Sequence, residues 1–168
     1  MDRFAWCSCL AVLGAALAGC PAADQSLVIN EFMASNSSTL QDESGAFPDW
    51  IELHNPTSAD IPLGGYALSD DPGEAGRQPL DPDTVVPAGG YTVLFADGDL
   101  DEGPAHLDFR LSAGGESVVL SLWDGVQADV VDQVSFGPQT TDVSMARVPD
   151  GTGEWELDST PTPGAENG

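Results

Sequence analysis

The chain has 168 residues and a formal net charge of −24, with 28 acidic residues against four arginines and no lysine. That balance disfavours polyanionic partners, nucleic acid above all, because binding them runs through counterion release by Lys and Arg. An acidic surface keeps an exported chain dispersed and leaves divalent cations, basic proteins and neutral glycans as ligand classes.

The first element is a leader. Phe4 to Ala18 is an uncharged, mostly apolar run behind Arg3, the length of a secretory h-region and too short to span a bilayer. It ends Leu17-Ala18-Gly19-Cys20, which resembles the lipobox of bacterial lipoproteins, where small residues precede a cysteine that is acylated and becomes the mature N-terminus. On that reading residues 1–19 are a signal peptide, Cys20 is the lipidation site, 20–26 are the lipidated cysteine and a short linker, and 27–167 form one domain. Cys7 and Cys9 leave with the leader and Cys20 is consumed by lipid, so the domain is expected to hold no disulfide and no thiolate chemistry. The implied address is the cell envelope, lipid-anchored on the extracytoplasmic side.

Apolar signal restarts at Leu27 to Met33, followed by a polar loop from Ala34 to Phe47. Asp49 to His54 alternates Ile51 and Leu53 against Trp50, Glu52 and His54, the pattern of a half-buried strand, and Asn55-Pro56 ends it. Ile61 to Ser69 is interrupted by Pro62, Gly64 and Gly65 in the manner of an edge strand or bulge. A short strand at Asp83 to Pro87 precedes Tyr91 to Ala96, an acidic loop from Asp97 to Glu102, and Leu107 to Leu111. Ser117 to Trp123 and Ala128 to Phe136 flank Asp124-Gly125, a hairpin signal. In the second of these strands Val130, Asp132, Val134 and Phe136 share one parity. Val143 to Val148 is the last strand, with Trp155 beyond it. No stretch of the domain sustains a 3.6-residue period, and 19 glycines and 13 prolines punctuate it. Seven to nine short strands with such spacing predict an all-β, antiparallel sandwich of immunoglobulin-like type.

Several motifs, taken in order, resemble a bacterial lamin-tail domain. They are Asn30-Glu31, the run Asp49 to Pro56, Leu68-Ser69-Asp70-Asp71, Pro87 to Tyr91, Phe109 to Ser112 with Gly115-Glu116, Arg147 to Trp155, and Thr162 to Ala165 with Asn167. The resemblance implies the same immunoglobulin-like sandwich. It carries over no filament role, since the chain has no heptads for a coiled-coil rod. Domains of this family accompany exported hydrolases or stand on membrane-bound proteins, and here the expectation is the module without a catalytic companion.

Candidate site residues follow. His54 and His106 are the available bases for a hydrolase, but no Gly-x-Ser-x-Gly elbow accompanies them, and they read as surface or strand-packing histidines. Asp97, Asp99, Asp101 and Asp108 fall at positions 1, 3, 5 and 12 of a calcium-like loop, although Glu102 stands where such loops need glycine and Pro104 interrupts the arc. Asp70, Asp71, Asp81 and Asp83 form a weaker acidic group. Glu31, Glu52 and Asp132 lie within apolar strands and read as structural carboxylates that hydrogen-bond the backbone or Arg110 and Arg147, because a buried carboxylate must be paired. The expected function is a non-catalytic binding or scaffolding module on the envelope membrane, with a protein or glycan partner and no nucleic acid. Calcium is the one cofactor to test. A calcium-dependent adhesion or carbohydrate-binding module is the alternative, and a hydrolase accessory or minor enzyme comes third.

Overall fold

The computed structural model describes residues 27–168; the leader, Cys20 and the linker lie outside them. Twelve strands are formed among the described residues: β1 Val28–Met33, β2 Asp49–His54, β3 Ile61–Pro62, β4 Tyr66–Ser69, β5 Gln78–Pro79, β6 Val85–Val86, β7 Tyr91–Ala96, β8 His106–Leu107, β9 Ser117–Trp123, β10 Ala128–Ser135, β11 Ser144–Val148 and β12 Glu154–Asp158. They build an immunoglobulin-like sandwich from a six-stranded sheet in the order β12-β11-β1-β2-β7-β8 and a four-stranded sheet in the order β10-β9-β4-β5, with β3 and β6 as a separate pair. All pairings are antiparallel except that of β7 with β8.

The strand count exceeds the seven to nine expected because Ile61 to Ser69 divides into two strands and because β5 and β12 were not expected; β5, at two residues, is too short for a period of two to register. Pro62, Gly64 and Gly65 split the stretch from Ile61 to Ser69 into β3 and β4. Leu107 to Leu111 contributes only its first residue to a strand. The edge strand β12 was hidden by its run Glu-Trp-Glu-Leu-Asp, whose two glutamates face solvent; charge on an edge discourages pairing with another chain.

Between the sheets lie Ile29, Phe32, Ile51, Leu53, Leu68, Leu94, Val118 and Leu120, all buried. Phe32 is the junction: its ring centroid is 4.7 Å from that of Phe136 and 5.4 Å from that of Trp155. The predicted single parity of β10 is broken by a bulge between Val130 and Asp132. Val131 therefore packs on the core while Val130 is exposed, since one extra residue exchanges the two faces of a strand.

The half-buried reading of β2 is overturned. Trp50, Ile51, Glu52, Leu53 and His54 are all buried, as are Ile29 to Met33 of β1. The inner face meets the second sheet. On the outer face, Trp50, Met33 and Phe95 form a second apolar cluster under Leu40 of the β1–β2 loop, and the chain after β12 covers Glu31 and Glu52. That loop is tied down by Asp142, whose carboxylate accepts from Ser37 N at 2.7 Å and Ser38 N at 3.0 Å and from the hydroxyls of both serines. Asp142 takes a φ of 59°, a left-handed conformation that Asp tolerates better than most residues.

Replacing Phe32 by Ala is expected to cost about 3–5 kcal/mol in a urea titration, whereas Leu157→Ala on the exposed edge should change stability by no more than about 0.5 kcal/mol. Equal responses would mean that Phe32 is not at the junction of the two sheets.

Candidate functional site

Two side-chain clusters concentrate the ionisable groups of the domain. The first is the carboxylate pair Glu31 and Glu52, which face each other in register across β1 and β2. Both are fully buried, and two such charges side by side repel. Each is met by donors from the chain after β12. Glu31 accepts from Ser144 Oγ at 2.5 Å and from Thr162 N at 3.2 Å; Glu52 accepts from Gly164 N at 2.5 Å and from Asn30 Nδ2 at 3.1 Å. Asn30 Nδ2 also reaches Asp150 at 3.2 Å, and Asp150 in turn accepts from Tyr91 Oη and from Asn167 N. Asn167 closes the network by donating to the carbonyls of Asn30 and Arg147. Burial, with Glu31 and Asp150 as like charges nearby, pushes Glu52 up to about 7. Burial likewise raises Glu31, against the hydrogen bonds from Ser144 and Thr162.

Asp132 belongs to a separate clip between the sheets. Its two oxygens lie 3.0 and 3.1 Å from an Arg147 guanidinium nitrogen, and Oδ2 accepts from Ile29 N at 3.0 Å. Arg147 Nε donates to Ile29 O at 3.0 Å, and its guanidinium lies 4.6 Å from the Trp155 ring centroid. Arg147 is thus the partner of Asp132, while Arg110 pairs with neither Glu31 nor Glu52 in these contacts; it bridges Asp97 through the backbone.

The second cluster surrounds His106. This residue is neither in a loop nor on the surface: it forms β8, is buried, and packs 5.3 Å from the Phe95 ring. Its Nδ1 lies 2.6 Å from Asp97 Oδ2 and 3.6 Å from Glu102 Oε2, and its Nε2 lies 3.2 Å from Glu43 Oε1. Nε2 is nevertheless without an aligned hydrogen bond. Burial opposes a charged ring, and the Asp97 and Glu43 carboxylates outweigh it, so its pKa is raised above the usual histidine value. Asp97, Glu102 and His106 offer ligand atoms within 4.8 Å of one another. An open cavity beside them is lined by Asp42, Asp97, Asp99, Glu102 and Arg110.

The four aspartates of the calcium-like pattern are therefore divided. Asp97 is buried against His106. Asp99 caps the 3-10 turn Leu100–Glu102 by accepting from Asp101 N. Asp101 is exposed, and Asp108 pairs with Arg77 Nε at 3.2 Å. The weaker acidic group is divided in the same way: Asp70 pairs with Arg77, Asp71 caps the turn Pro72–Glu74, and Asp81 accepts from Thr84 Oγ1. His54 stacks on Tyr91 at 4.7 Å and has Nδ1 3.1 Å from Gly90 O, a packing role within the sheet. Sequence spacing pointed to Asp97 but missed Glu43 and the buried setting of His106, since Glu43 lies in the β1–β2 loop and His106 in β8, far apart in the chain.

Comparison with known families places this architecture. The family model for the lamin tail domain matches residues 21–137, well over half of the chain. The chain belongs to the lamin tail domain family. These are immunoglobulin-like, non-enzymatic domains. The matched part of this lamin tail domain ends just after β10, yet the six-stranded sheet continues beyond it, β11 pairing with β1 and β12 with β11. A search of curated proteins finds no match for the chain.

The raised pKa of Glu52 has a definite sign. A carboxyl whose folded pKa exceeds its unfolded value of 4.5 supports the fold below about pH 4.5, and that support is lost as pH rises toward about 7. A shift of this size corresponds to about 3 kcal/mol. Thermal melts of the wild type should therefore show falling stability across that window, and Glu52→Gln should flatten the slope. General repulsion in so acidic a chain acts in the same direction but is shared by both proteins. An unchanged slope in the variant would assign the whole effect to net charge.

Proposed function

We propose that this lamin tail domain is a non-catalytic, lipid-anchored module that binds or scaffolds a protein or glycan partner on the extracytoplasmic side of the envelope membrane. The reading combines two supports: the Leu17-Ala18-Gly19-Cys20 sequence for the anchor, and the lamin tail family match for the binding module. The observation that carries its non-catalytic part is the use made of the buried acids. A glycosidase or other hydrolase aims a pair of carboxylates into a substrate cleft. Here Glu31 and Glu52 are turned to the backbone of Thr162 and Gly164, and Asp132 to Arg147. These side chains hold the fold, and recognition falls to the exposed acidic surface, which attracts basic or neutral partners and repels polyanions.

Metabolic labelling with a tagged fatty acid tests the anchor. Wild-type protein should incorporate the label and fractionate with membranes, and Cys20→Ala should lose the label and either accumulate as precursor or appear in the soluble fraction. Wild-type protein that takes up no label would overturn the lipid-anchored reading. The partner is sought by crosslinking in intact cells; capture of nucleic acid as the dominant species would overturn the partner class.

A further inference from the structure

The geometry points to a transition-metal site of the zinc type, in which His106 Nε2 and a carboxylate oxygen of Glu43 are the protein ligands and Asp97 is a positioning residue behind the ring. Three observations carry it. The first is the short contact of Nδ1 with Asp97 Oδ2, 2.6 Å, on a ring whose side chain is fully buried. With Nδ1 donating to Asp97, Nε2 is the nitrogen that an ion displacing the second ring proton would take. A carboxylate holding the far nitrogen in this way fixes the tautomer and the ring plane of a metal-binding histidine.

The second observation is at Nε2 itself. It is buried and has no hydrogen-bond partner, yet the Glu43 carboxylate stands 3.2 Å away and out of line for a hydrogen bond. A buried ring nitrogen that makes no aligned hydrogen bond leaves room for a better-placed partner. A zinc ion with ligands at about 2.0–2.2 Å and tetrahedral angles holds a nitrogen and an oxygen donor about 3.4 Å apart. The observed 3.2 Å is close to that spacing, so an ion that displaces the ring proton can bridge the two donors with little movement.

Third comes access and charge. The Glu43 side chain is 60% exposed while that of His106 is fully buried, so an ion can enter from the solvent side and remaining positions can be filled by water. Glu102 Oε2, 3.6 Å from Nδ1, adds a third negative group to the immediate surroundings. The imidazole donor selects the class of ion: nitrogen with carboxylate suits zinc and its neighbours, whereas calcium takes oxygen ligands. The inference therefore moves the metal away from the spacing of Asp97, Asp99, Asp101 and Asp108 and onto a histidine that this spacing does not include. It stands whether or not the chain is anchored by lipid.

The test uses the full chain with Cys7, Cys9 and Cys20 replaced by serine, so that no thiol competes for metal, stripped with chelator and titrated calorimetrically with zinc chloride. Equimolar, saturable binding and a rise in melting temperature are expected, with calcium giving no more than magnesium at matched ionic strength. Cobalt(II) in place of zinc should give visible absorption bands from the nitrogen and oxygen ligand field. Glu43→Gln changes an exposed side chain and should leave the fold intact in chelator, yet weaken zinc at least tenfold and abolish the cobalt bands. Asp97→Asn should weaken zinc by about 10–100-fold, as loss of an orienting partner does. No saturable zinc binding, or binding and bands that persist unchanged in Glu43→Gln, would overturn the proposal, as would a calcium-specific stabilisation larger than that of zinc.

Discussion

Two carboxylates facing each other in a dry sheet set the terms for the rest of this fold. Glu31 and Glu52 are paired across β1 and β2 and lie beneath the surface of the domain. Buried carboxylates without donors are among the most destabilising features a fold can carry. The chain after β12 supplies those donors from its backbone, at Thr162 and Gly164, and in doing so covers the outer face of the central strands. The β1–β2 loop does the same for the apolar half of that face, over Trp50 and Met33. The central strands β1 and β2 are thereby enclosed on both faces, while the edge strand β12 stays open to water.

A second polar device joins the sheets. Asp132 sits beside the β10 bulge and Arg147 on β11, and together they satisfy both backbone groups of Ile29 on β1. The bulge and the ion pair are connected. The extra residue lies between Val130 and Asp132, so it puts these two on opposite faces, while Asp132 keeps the parity of Val134, their partners on β9 being Leu120 and Val118. Trp155 then stacks on the guanidinium and reaches Phe32, so the edge strand is packed to the core through an aromatic and a cation in series.

Much of this architecture was legible in the sequence, and the unread part has physical reasons. Long strands with clear alternation, such as Ser117–Trp123, and turn chemistry such as Asp124-Gly125 are local signals. So is the all-β class. The reading of Asp132 with Arg147 rested on a general rule about buried charge, and the geometry supplies that pairing. What local pattern could not convey was the enclosure of β2, because its cover comes from residues more than a hundred positions away. Nor could spacing assemble the surroundings of His106. Glu43 lies in the β1–β2 loop, and only the pairing of β7 with β8 brings His106 beneath it. The division of Asp97, Asp99, Asp101 and Asp108 among different partners shows the converse: a spacing can match while the loop conformation sends its oxygens elsewhere.

The enclosure of β1 by the end of the domain also orders events in time. Asn167 Nδ2 bonds the carbonyl of Asn30 across 137 residues of sequence, and Thr162 reaches Glu31 across 131. Contacts of such separation carry a large loop-closure cost and form slowly. A ribosome that has made β1 and β2 must therefore synthesise more than a hundred further residues before their outer face can be sealed. Until then Glu31 and Glu52 lack the backbone donors of Thr162 and Gly164. Sealing waits until Thr162 to Asn167 have been made.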